Sequence, residues 1–557
     1  MRDSVSVALA GSGGAGVMTA GNMLLEAAAA AGYYGLMTRT SGPQIRGGEA
    51  AAMLRLAAFP TDAQDDRFHA LAAIDWQNVA RFAAEIPLGP QSLLIGDPAH
   101  GAPPEVFLNS GARYVPVPLK KMAGEIQGAW PNMVALGVLA GLIDLPLEAL
   151  EGAARKSMKK GLEPGIAAAR LGFSQASNLE GYHLAKPQDS KPRWLISGNE
   201  AAGYGALRGG VRFVAAYPIT PATELLEWLA PALAEVGGTL VQAEDELASI
   251  NMALGASFGG VPALTATSGP GLSLMIESLG LGVTAEVPVV VVDVMRTGPS
   301  TGIATKTEQG DLNIALYGMH GDAPHIVVAP NSVADCIAAT QWAVALAESL
   351  QAPAIVLSDQ YFGQARAIVD VPHKEDFSLK RLLTSEKQDA YKRYALTPSG
   401  VSPMAIPGTA GCTYTADGLE HNERGTPSSQ ALDHLAQMEK RARKISQLDP
   451  GDAWASIEGE GETAVVTFGS CTGPVREALA RNGNGVRLVS LRLLSPAQPA
   501  RLKKALEGVK RVLVVEQNHS GQFLRYLRSE YDLPGEVKSL RRPGPLPFRP
   551  EEIQRAL

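Results

Sequence analysis

The feature that most constrains this chain is a series of short apolar runs, three of which end in a turn rich in glycine, proline or hydroxyl residues. Such runs span Arg212 to Ala216, Ala263 to Thr267, Val287 to Val294 and Ala354 to Leu357, and alanine-rich helical stretches separate them. Apolar runs that alternate with helices are typical of parallel sheets covered on both faces. The order therefore predicts an open α/β sheet whose polar turns meet at one edge, where ligands collect in such sheets.

The chain is long enough for several domains. Its 557 residues exceed one core at roughly 100 to 200 residues per domain, and the α/β alternation starts afresh twice. Proline, glycine and charged residues mark the connections between the domains. We predict a multidomain α/β protein with an α/β domain over 1–183, a linker over 184–193, an α/β domain over 194–371, an extended connecting segment over 372–452, and an α/β domain over 453–557.

The composition excludes several classes of protein. The formal net charge is −7 and the basic residues are scattered, so the electrostatic footprint of a nucleic-acid binder is missing. Cys336, Cys412 and Cys471 lie far apart, which argues against a disulfide framework, a zinc site or an iron–sulfur cluster built from this chain alone. No apolar run approaches the roughly 18 residues of a membrane span. We expect a cytoplasmic protein without nucleic-acid or membrane partners.

A glycine-rich turn near the start of the chain leaves one alternative open. Gly11 to Gly16 follows the apolar run Ser4 to Ala10 and precedes an alanine-rich helix, as in a dinucleotide-binding βα unit. The motif alone is a weak signal, and no acidic residue is clearly placed about 20 positions further on. A non-catalytic nucleotide-binding or scaffolding subunit therefore remains the alternative to an enzyme.

Four polar turns lie at or near the ends of successive apolar runs. In Tyr217-Pro218-Ile219-Thr220-Pro221 the two prolines restrict φ and hold Thr220 rigidly, although Thr220 as an ordinary helix N-cap explains the pattern equally well. The acids Glu244-Asp245-Glu246 precede an alanine-rich helix whose dipole favours them. A carboxylate there also suits an aminopyrimidine cofactor, because it stabilises the imino tautomer that removes a proton.

The other two turns complete one predicted site. Thr265 to Gly271 contains Ser268-Gly269-Pro270-Gly271, which allows close approach of a ligand to the backbone. Met295 to Gly302 contains Arg296, which is either a surface charge or a bidentate partner for a carboxylate. Together the four turns describe one site at the sheet edge.

These motifs, in this order, closely resemble the α subunit of 2-oxoacid:ferredoxin oxidoreductases. The first domain resembles the γ domain of that family, through Gly11 to Gly16, the segment 41–48 and Asn132 to Gly137, and the last domain matches through Glu516 to Gln522. The resemblance covers nearly the whole chain. It implies a γ domain, a pyrimidine-binding domain of the thiamine diphosphate fold, and a domain like the transketolase C-terminal domain.

The resemblance also implies roles for individual residues. Glu246 is expected to bind the pyrimidine N1′ atom, with Glu244 as the second choice. Thr220 and Arg296 are expected to bind the carboxylate and keto groups of a 2-oxoacid, in a pocket shaped by Tyr217. The residues expected to line the cofactor are Tyr217, Pro218, Ser268, Gly269 and Gly271.

One part of a thiamine diphosphate site is missing from the sequence. Mg²⁺ at the diphosphate is held by oxygen ligands from a Gly-Asp-Gly motif in such sites. Here Gly-Asp is never followed by a second glycine, at Gly96-Asp97, Gly310-Asp311, Gly321-Asp322 and Gly451-Asp452. We therefore expect a β subunit that carries the diphosphate, Mg²⁺ and a 4Fe-4S cluster in an α2β2 assembly, with ferredoxin and coenzyme A as further partners.

The substrate expected from the resemblance is 2-oxoglutarate, because a fused γ and α arrangement without cluster-binding cysteines looks most like enzymes that form succinyl-CoA. Pyruvate or a broad range of 2-oxoacids remains the alternative. A distal carboxylate requires a further cation, for which Arg46, Lys306 and Arg39 are candidates.

Overall fold

The computed structural model describes residues 2–42, 48–187, 189, 191–372, 377, 379–384, 390–483 and 485–557. It divides into two compact units, which are treated separately below. The first unit comprises Met1–Ser197, Gln364–His373 and Phe548–Arg555, and the second comprises Gly198–Gly363, Lys374–Pro547 and Ala556–Leu557. None of the described helices has the length and apolar character required to cross a bilayer.

The elements alternate along most of the chain. The strands up to residue 200 are β1 (Ser4–Gly11), β2 (Tyr34–Ser41), β3 (Ala50–Ala57), β4 (Ala70–Ala73), β5 (Leu93–Gly96), β6 (Arg113–Pro116) and β7 (Arg193–Ser197). The helices over the same range are α1 (Val17–Ala30), α2 (Glu105–Leu108), α3 (Leu119–Gly124), α4 (Pro131–Leu142), α5 (Leu147–Ser157) and α6 (Leu162–Ala176).

The middle of the chain continues the alternation. Its strands are β8 (Phe213–Ala216), β9 (Thr239–Gln242), β10 (Ala263–Thr267), β11 (Val290–Met295), β12 (Ile326–Val328), β13 (Ala354–Asp359) and β14 (Arg366–Asp370). Its helices are α7 (Gly198–Gly209), α8 (Thr223–Glu235), α9 (Glu246–Phe258), α10 (Gly269–Thr284), α11 (Leu312–Tyr317), α12 (Asp335–Leu350) and α13 (Gln360–Gln364).

The last part of the chain has short strands first and a regular α/β alternation afterwards. Its strands are β15 (Leu383–Thr384), β16 (Met404–Ala405), β17 (Ala455–Glu458), β18 (Thr463–Phe468), β19 (Val486–Leu491), β20 (Leu493–Ser495), β21 (Arg511–Glu516) and β22 (Glu536–Arg541). Its helices are α14 (Ala431–Ser446), α15 (Thr472–Asn482), α16 (Pro499–Ala505), α17 (Gln522–Glu530) and α18 (Pro550–Ala556).

The first unit is built on an eight-stranded mixed sheet with the order β6-β5-β4-β1-β3-β2-β14-β7. The central strand β1 pairs parallel with β4 and antiparallel with β3. Helices α4 and α6 pack closely because two glycines face the opposite backbone: a Cβ on Gly137 or on Gly172 would lie 2.0 Å from a carbonyl oxygen of the other helix. The small residues of this region therefore allow direct backbone packing.

The second unit contains the sheet that was predicted from the alternating apolar runs. Its strands have the order β20-β12-β13-β11-β10-β8-β9, and β8, β10, β11 and β13 run parallel. The carboxyl ends of these strands therefore lie at one edge. A five-stranded sheet, β17-β19-β18-β21-β22, follows in the same unit. The predicted multidomain α/β fold is confirmed.

A buried ionic cluster anchors part of the segment that the sequence predicts to be extended. Glu286, which has no exposed surface, accepts hydrogen bonds from Lys440 (2.5 Å) and Lys444 (3.0 Å) of α14. The guanidinium of Arg393 donates to the Glu286 carbonyl oxygen at 2.8 Å. We call these four residues the Glu286 cluster. Helix α14 is therefore attached to the rest of the unit by buried ion pairs, and not mainly by an apolar face.

Candidate active site

The Tyr217–Pro221 turn follows β8 at the carboxyl edge of the seven-stranded sheet. Tyr217 is 40% exposed, whereas Pro218 and Thr220 are half-buried. Two side chains bind the backbone of the turn: Arg296 donates to the Thr220 carbonyl oxygen at 2.6 Å, and buried Asn199 donates to the Pro221 carbonyl oxygen at 2.9 Å. The structure therefore brings Thr220 and Arg296 together, and it adds Asn199, which the sequence does not single out.

The two candidate glutamates differ in burial. Glu246 is the first residue of α9 and is 7% exposed, whereas Glu244 lies exposed before the helix. Asp245 between them is the N-cap, and its carboxylate accepts from the Ala248 amide at 2.7 Å. Within the described part of the chain, no N–H or O–H group donates to the Glu246 carboxylate. The Glu246 carboxylate is therefore free to accept a hydrogen bond.

The glycine turn before α10 lies against Glu246. A Cβ on Gly271 would be 2.0 Å from Thr267 Oγ1 and 2.7 Å from a Glu246 carboxylate oxygen. The hydroxyls of Ser268 and Thr265 are fully buried, and neither has a hydrogen-bond partner among the described residues. Only glycine at position 271 leaves the carboxylate in its place.

Arg296 has one edge of its guanidinium unused. Its Nη1 atom donates to Thr220, while its buried Nε atom and its Nη2 atom have no acceptor among the residues described. The Nε and Nη2 hydrogens point the same way, and this is the edge that binds both oxygens of a carboxylate. Because Arg296 is 7% exposed, it is a buried group and not a surface charge.

A pair of acids that the sequence analysis missed lies in the same region. Asp293 lies within β11, opposite Thr267 of β10, and Asp311 precedes α11. A Cβ on Gly269 would be 2.5 Å from a carboxyl oxygen of Asp311. One signal was available: Asp293 is a carboxylate inside an otherwise apolar strand, a position that acids rarely occupy without a partner.

Hydrogen bonds from the five-stranded part of the same unit hold the segment that carries Asp311. The Gln309 amide donates to the Gln517 carbonyl oxygen, and the Gln517 amide donates to the Gln309 side chain, at 2.8 and 2.9 Å. Gln522 donates to the Gly310 carbonyl oxygen at 2.8 Å. Residues of the predicted motif Glu516 to Gln522 therefore hold the backbone just before Asp311 in place.

The glycine turn of the first unit has a protein carboxylate in contact with it. The amide and hydroxyl of Ser12 both donate to Asp75, at 3.0 and 2.7 Å. The side-chain amide of Asn132 donates to the Gly16 carbonyl oxygen at 3.2 Å. Because Asp75 supplies an anion to this turn, the geometry does not favour a phosphate at the same amide.

Two of the three candidates for a distal carboxylate lie in the described residues, one in each unit. Arg39 lies in β2 of the first unit, and Lys306 follows the Arg296 turn in the second, where its carbonyl oxygen accepts from the Thr297 amide at 2.9 Å. Arg46 lies outside the described residues. The residue that would bind a second carboxylate stays unassigned.

The donor set at the sheet edge fits the aminopyrimidine half of thiamine diphosphate. Such a ring requires a buried carboxylate at N1′ and space against the backbone, which Glu246 and Gly271 supply. It also requires polar groups without internal partners, such as Ser268 Oγ and Thr265 Oγ1. The buried carboxylate, the glycine and the two hydroxyl groups are therefore compatible with an aminopyrimidine ring.

Comparison with known proteins agrees with this geometry. The family model described as pyruvate flavodoxin/ferredoxin oxidoreductase, thiamine diphosphate-binding, matches residues 204–441, and that described as pyruvate ferredoxin/flavodoxin oxidoreductase matches residues 6–175. A 2-oxoacid:ferredoxin oxidoreductase subunit alpha from Sulfolobus sp. is 30% identical over 99% of this chain and 96% of its own length. The 2-oxoglutarate synthase subunit KorA of Methanothermobacter marburgensis is 34% identical over 65% of this chain and 97% of its own.

A solved structure is similar over the full length. It is a 2-oxoglutarate:ferredoxin oxidoreductase from Magnetococcus marinus with 2-oxoglutarate, coenzyme A and succinyl-CoA bound. It is 36% identical, covers 100% of this chain and 99% of that chain, and has a TM-score of 0.91. The fold and the site thus define a thiamine-diphosphate-binding oxidoreductase. Within that class, the chain belongs to the alpha subunits of the 2-oxoacid:ferredoxin oxidoreductases, and the resemblance found in the sequence is confirmed.

Proposed function

We propose that the chain is the α subunit of a cytoplasmic 2-oxoglutarate:ferredoxin oxidoreductase. In the reaction, 2-oxoglutarate loses carbon dioxide, coenzyme A accepts the succinyl group, and two electrons pass to ferredoxin. The observation that carries the proposal is the full-length similarity, at 36% identity, to a structure that holds 2-oxoglutarate, coenzyme A and succinyl-CoA. The same reaction on pyruvate or on several 2-oxoacids is the second candidate, since relatives are also named for 2-oxoacids in general.

Glu246 is the residue that we assign to the cofactor. Thiamine diphosphate supplies a nucleophilic carbon and an electron sink for the decarboxylation. The Glu246 carboxylate holds a proton at the pyrimidine N1′ atom and so promotes the basic form of the neighbouring amino group. Gly271 and Ser268 line the ring, and Pro218 fixes the turn beside it.

Arg296 and Thr220 are assigned to the 2-oxoacid. The free Nε–Nη2 edge of Arg296 binds the carboxylate that will be lost, and the Arg296 hydrogen bond to Thr220 fixes the guanidinium plane. Thr220 presents its hydroxyl to the keto group, and half-exposed Tyr217 closes the entrance. The arrangement orients the bond that breaks.

A β subunit is required to complete the centre. No Gly-Asp of this chain is followed by a second glycine, and its three cysteines are far apart in sequence. Large apolar side chains are exposed on the helices around Glu246, namely Leu247, Met252 and Leu274 at 43 to 50%. We propose that a β subunit covers this surface in an α2β2 assembly and brings the diphosphate site, Mg²⁺ and a 4Fe-4S cluster.

Dye reduction tests the assignment. The chain, co-purified with the product of its neighbouring gene, is expected to reduce a viologen dye with 2-oxoglutarate, coenzyme A and thiamine diphosphate. Faster turnover of 2-oxoglutarate than of pyruvate by the same preparation supports the first candidate, and the reverse order supports the second. If no 2-oxoacid is oxidised, a nucleotide-binding or scaffolding role replaces the catalytic one.

Gly271→Ala is expected to weaken the binding of thiamine diphosphate. The new Cβ would lie 2.7 Å from the Glu246 carboxylate and would push it away from the ring. Loss of one charge-assisted hydrogen bond corresponds to about 1.5–3 kcal/mol, or about a tenfold to hundredfold higher Kd. Titration of the cofactor-free complex measures this Kd. Gly255→Ala, in α9 with no atom within 4 Å of its Cβ, is the matched control and is expected to bind normally.

A further inference from the structure

Buried Asp293 and half-buried Asp311 place two carboxyl groups at the sheet edge. Asp293 has no exposed surface, and neither of its oxygens accepts from an N–H group in the described residues. Asp293 lies opposite Thr267 of the neighbouring strand, and among the described residues Oδ2 of Asp311 likewise has no hydrogen-bond donor. Asp311 in turn lies against Gly269, at the start of the turn that lines the proposed cofactor site. The pair therefore joins the glycine turn to β11, which ends one residue before Arg296.

Burial and a small number of neighbouring charged residues change the pKa values of Asp293 and Asp311. Burial, and next the charge of Asp311, raise the pKa of Asp293 well above its usual value. Burial and the neighbouring Glu308 raise the pKa of Asp311 to about 7, and the positive charge of Arg296 opposes this rise. Glu308 itself is influenced by His519, and Glu246 lies on the far side of the turn, against Gly271. Above pH 7 the pair thus holds one proton and one negative charge near Arg296, and below pH 7 it holds two protons.

We propose that Asp293 and Asp311 are positioning residues that share a proton and balance the charge of Arg296, and that binding of the 2-oxoacid transfers a second proton from solvent to the Asp311 carboxylate. The inference rests on the proposed function, because it takes the 2-oxoacid carboxylate as the ligand of Arg296. The O–H bond of the donor, a hydronium ion or a buffer acid, breaks as the new O–H bond on Asp311 forms. The neutral pair keeps its contact with Gly269, while the substrate replaces Asp311 as the counter-ion of the arginine.

The direction of the pH effect follows from linkage. Below pH 7 the pair is already neutral, so the substrate binds without proton uptake. Above pH 7 a proton must be taken up, and the affinity for substrate falls by up to about tenfold per pH unit. We therefore expect the Kd of 2-oxoglutarate to rise about tenfold between pH 7 and pH 8.5, with an uptake that approaches about one proton.

Calorimetry on the unmodified protein provides the first test. The assembled complex is loaded with a thiamine diphosphate analogue that lacks the reactive C2–H bond, so that 2-oxoglutarate binds without decarboxylation. Titration in two buffers with different ionisation enthalpies gives the number of protons taken up. A larger uptake at pH 8 than at pH 6.5 supports the proposal, and an uptake near zero at both values overturns it.

Three variants locate the proton. In Asp311→Asn the pair stays neutral, so the KM for 2-oxoglutarate should not depend on pH between 7 and 8.5, with kcat changed much less than KM. In Asp293→Asn the new amide donates to Asp311 and keeps it ionised, so the KM should be raised throughout. Asp359→Asn removes another buried carboxyl group of the same sheet, whose pKa burial raises to about 6, and should keep the wild-type pH profile.

A stability measurement serves as a readout without substrate. A carboxyl group whose pKa is raised in the folded state stabilises the protein fully below its unfolded pKa of about 4, and this contribution is lost as the pH rises to about 7. The unfolding midpoint of the wild type should therefore fall relative to that of Asp311→Asn over this range. A constant difference would contradict titration of the pair.

Activity and its pH dependence distinguish failure of the proposed function from failure of the proposed role of Asp293 and Asp311. If the complex oxidises no 2-oxoacid at any pH, the proposed function is wrong. If it oxidises 2-oxoglutarate with a KM that is independent of pH in the wild type, only the role of the carboxyl pair is wrong. A pH profile that survives Asp311→Asn and disappears in Asp359→Asn also overturns the pair as its source.

Discussion

Replacing Glu246 by glutamine is expected to lower kcat for 2-oxoglutarate-dependent viologen reduction by about 10²- to 10⁴-fold, the usual contribution of a positioned acid–base group. Glutamine keeps the size of the side chain, so the pocket against Gly271 is preserved. It cannot hold the pyrimidine N1′ proton as a carboxylate does. The KM for 2-oxoglutarate should change little, because Glu246 has no contact with the proposed substrate groups.

Glu244→Gln is the matched control for this experiment. Glu244 lies two residues earlier, outside α9 and exposed to solvent, so its loss should leave kcat within about twofold of the wild type. Full activity in Glu246→Gln together with inactivity in Glu244→Gln would show that the carboxylate at N1′ had been assigned two positions too late. Thiamine diphosphate affinity, measured on both variants, separates loss of binding from loss of proton transfer.

Replacing Glu286 by glutamine is expected to reduce the free energy of unfolding by about 3–5 kcal/mol, the range for removal of one partner from a buried ion pair. Burial alone would raise the pKa of Glu286, but the charges of Lys444, Lys440 and Arg393 hold it below its usual value. The variant leaves these three cations buried without an anion. Denaturant unfolding of the purified complex measures the change, and limited proteolysis of the 390–446 region locates it.

Glu423→Gln provides the comparison for the Glu286 cluster. Glu423 pairs with Lys392 at 2.8 Å in the same region, but both side chains are about one-third or more exposed. Exposed pairs contribute roughly 0–1 kcal/mol, so this variant should unfold nearly as the wild type does. Equal losses in the two variants would indicate a general weakness of the region and not a dependence on the buried carboxylate.

The main arrangement of the site could be predicted from sequence because of sheet geometry. Thr220, Ser268 and Arg296 each follow an apolar run, and parallel strands place such ends at one edge. Burial separates Glu246 from Glu244, and sequence spacing cannot show it, since both acids suit a helix start. The functional roles of these residues stay predictions that the variants above test.

Two features escaped prediction for physical reasons. Asp311 follows Gly310 in a short non-helical segment and was considered only as a metal motif, so its partner across the sheet was not visible. Helix α14 was not predicted because its buried face carries Lys440, Lys444 and Arg441, which apolar periodicity treats as exposed. In both cases the group that explains the buried side chain lies in another element of the structure.

The short strand β20 has a consequence for anyone who recombines members of this family. It pairs antiparallel with β12 and so forms an outer strand of the sheet that carries the site, although it lies more than 100 residues later in the chain. A chimera joined near residue 453 would exchange this strand together with the five-stranded sheet. The strand from the other parent that replaces Leu493–Ser495 would then have to pair with β12. If it did not pair, the backbone N–H and C=O groups of β12 would be exposed at the sheet edge, which favours aggregation. A crossover that preserves the parent's own residues 493–495 keeps the catalytic sheet intact.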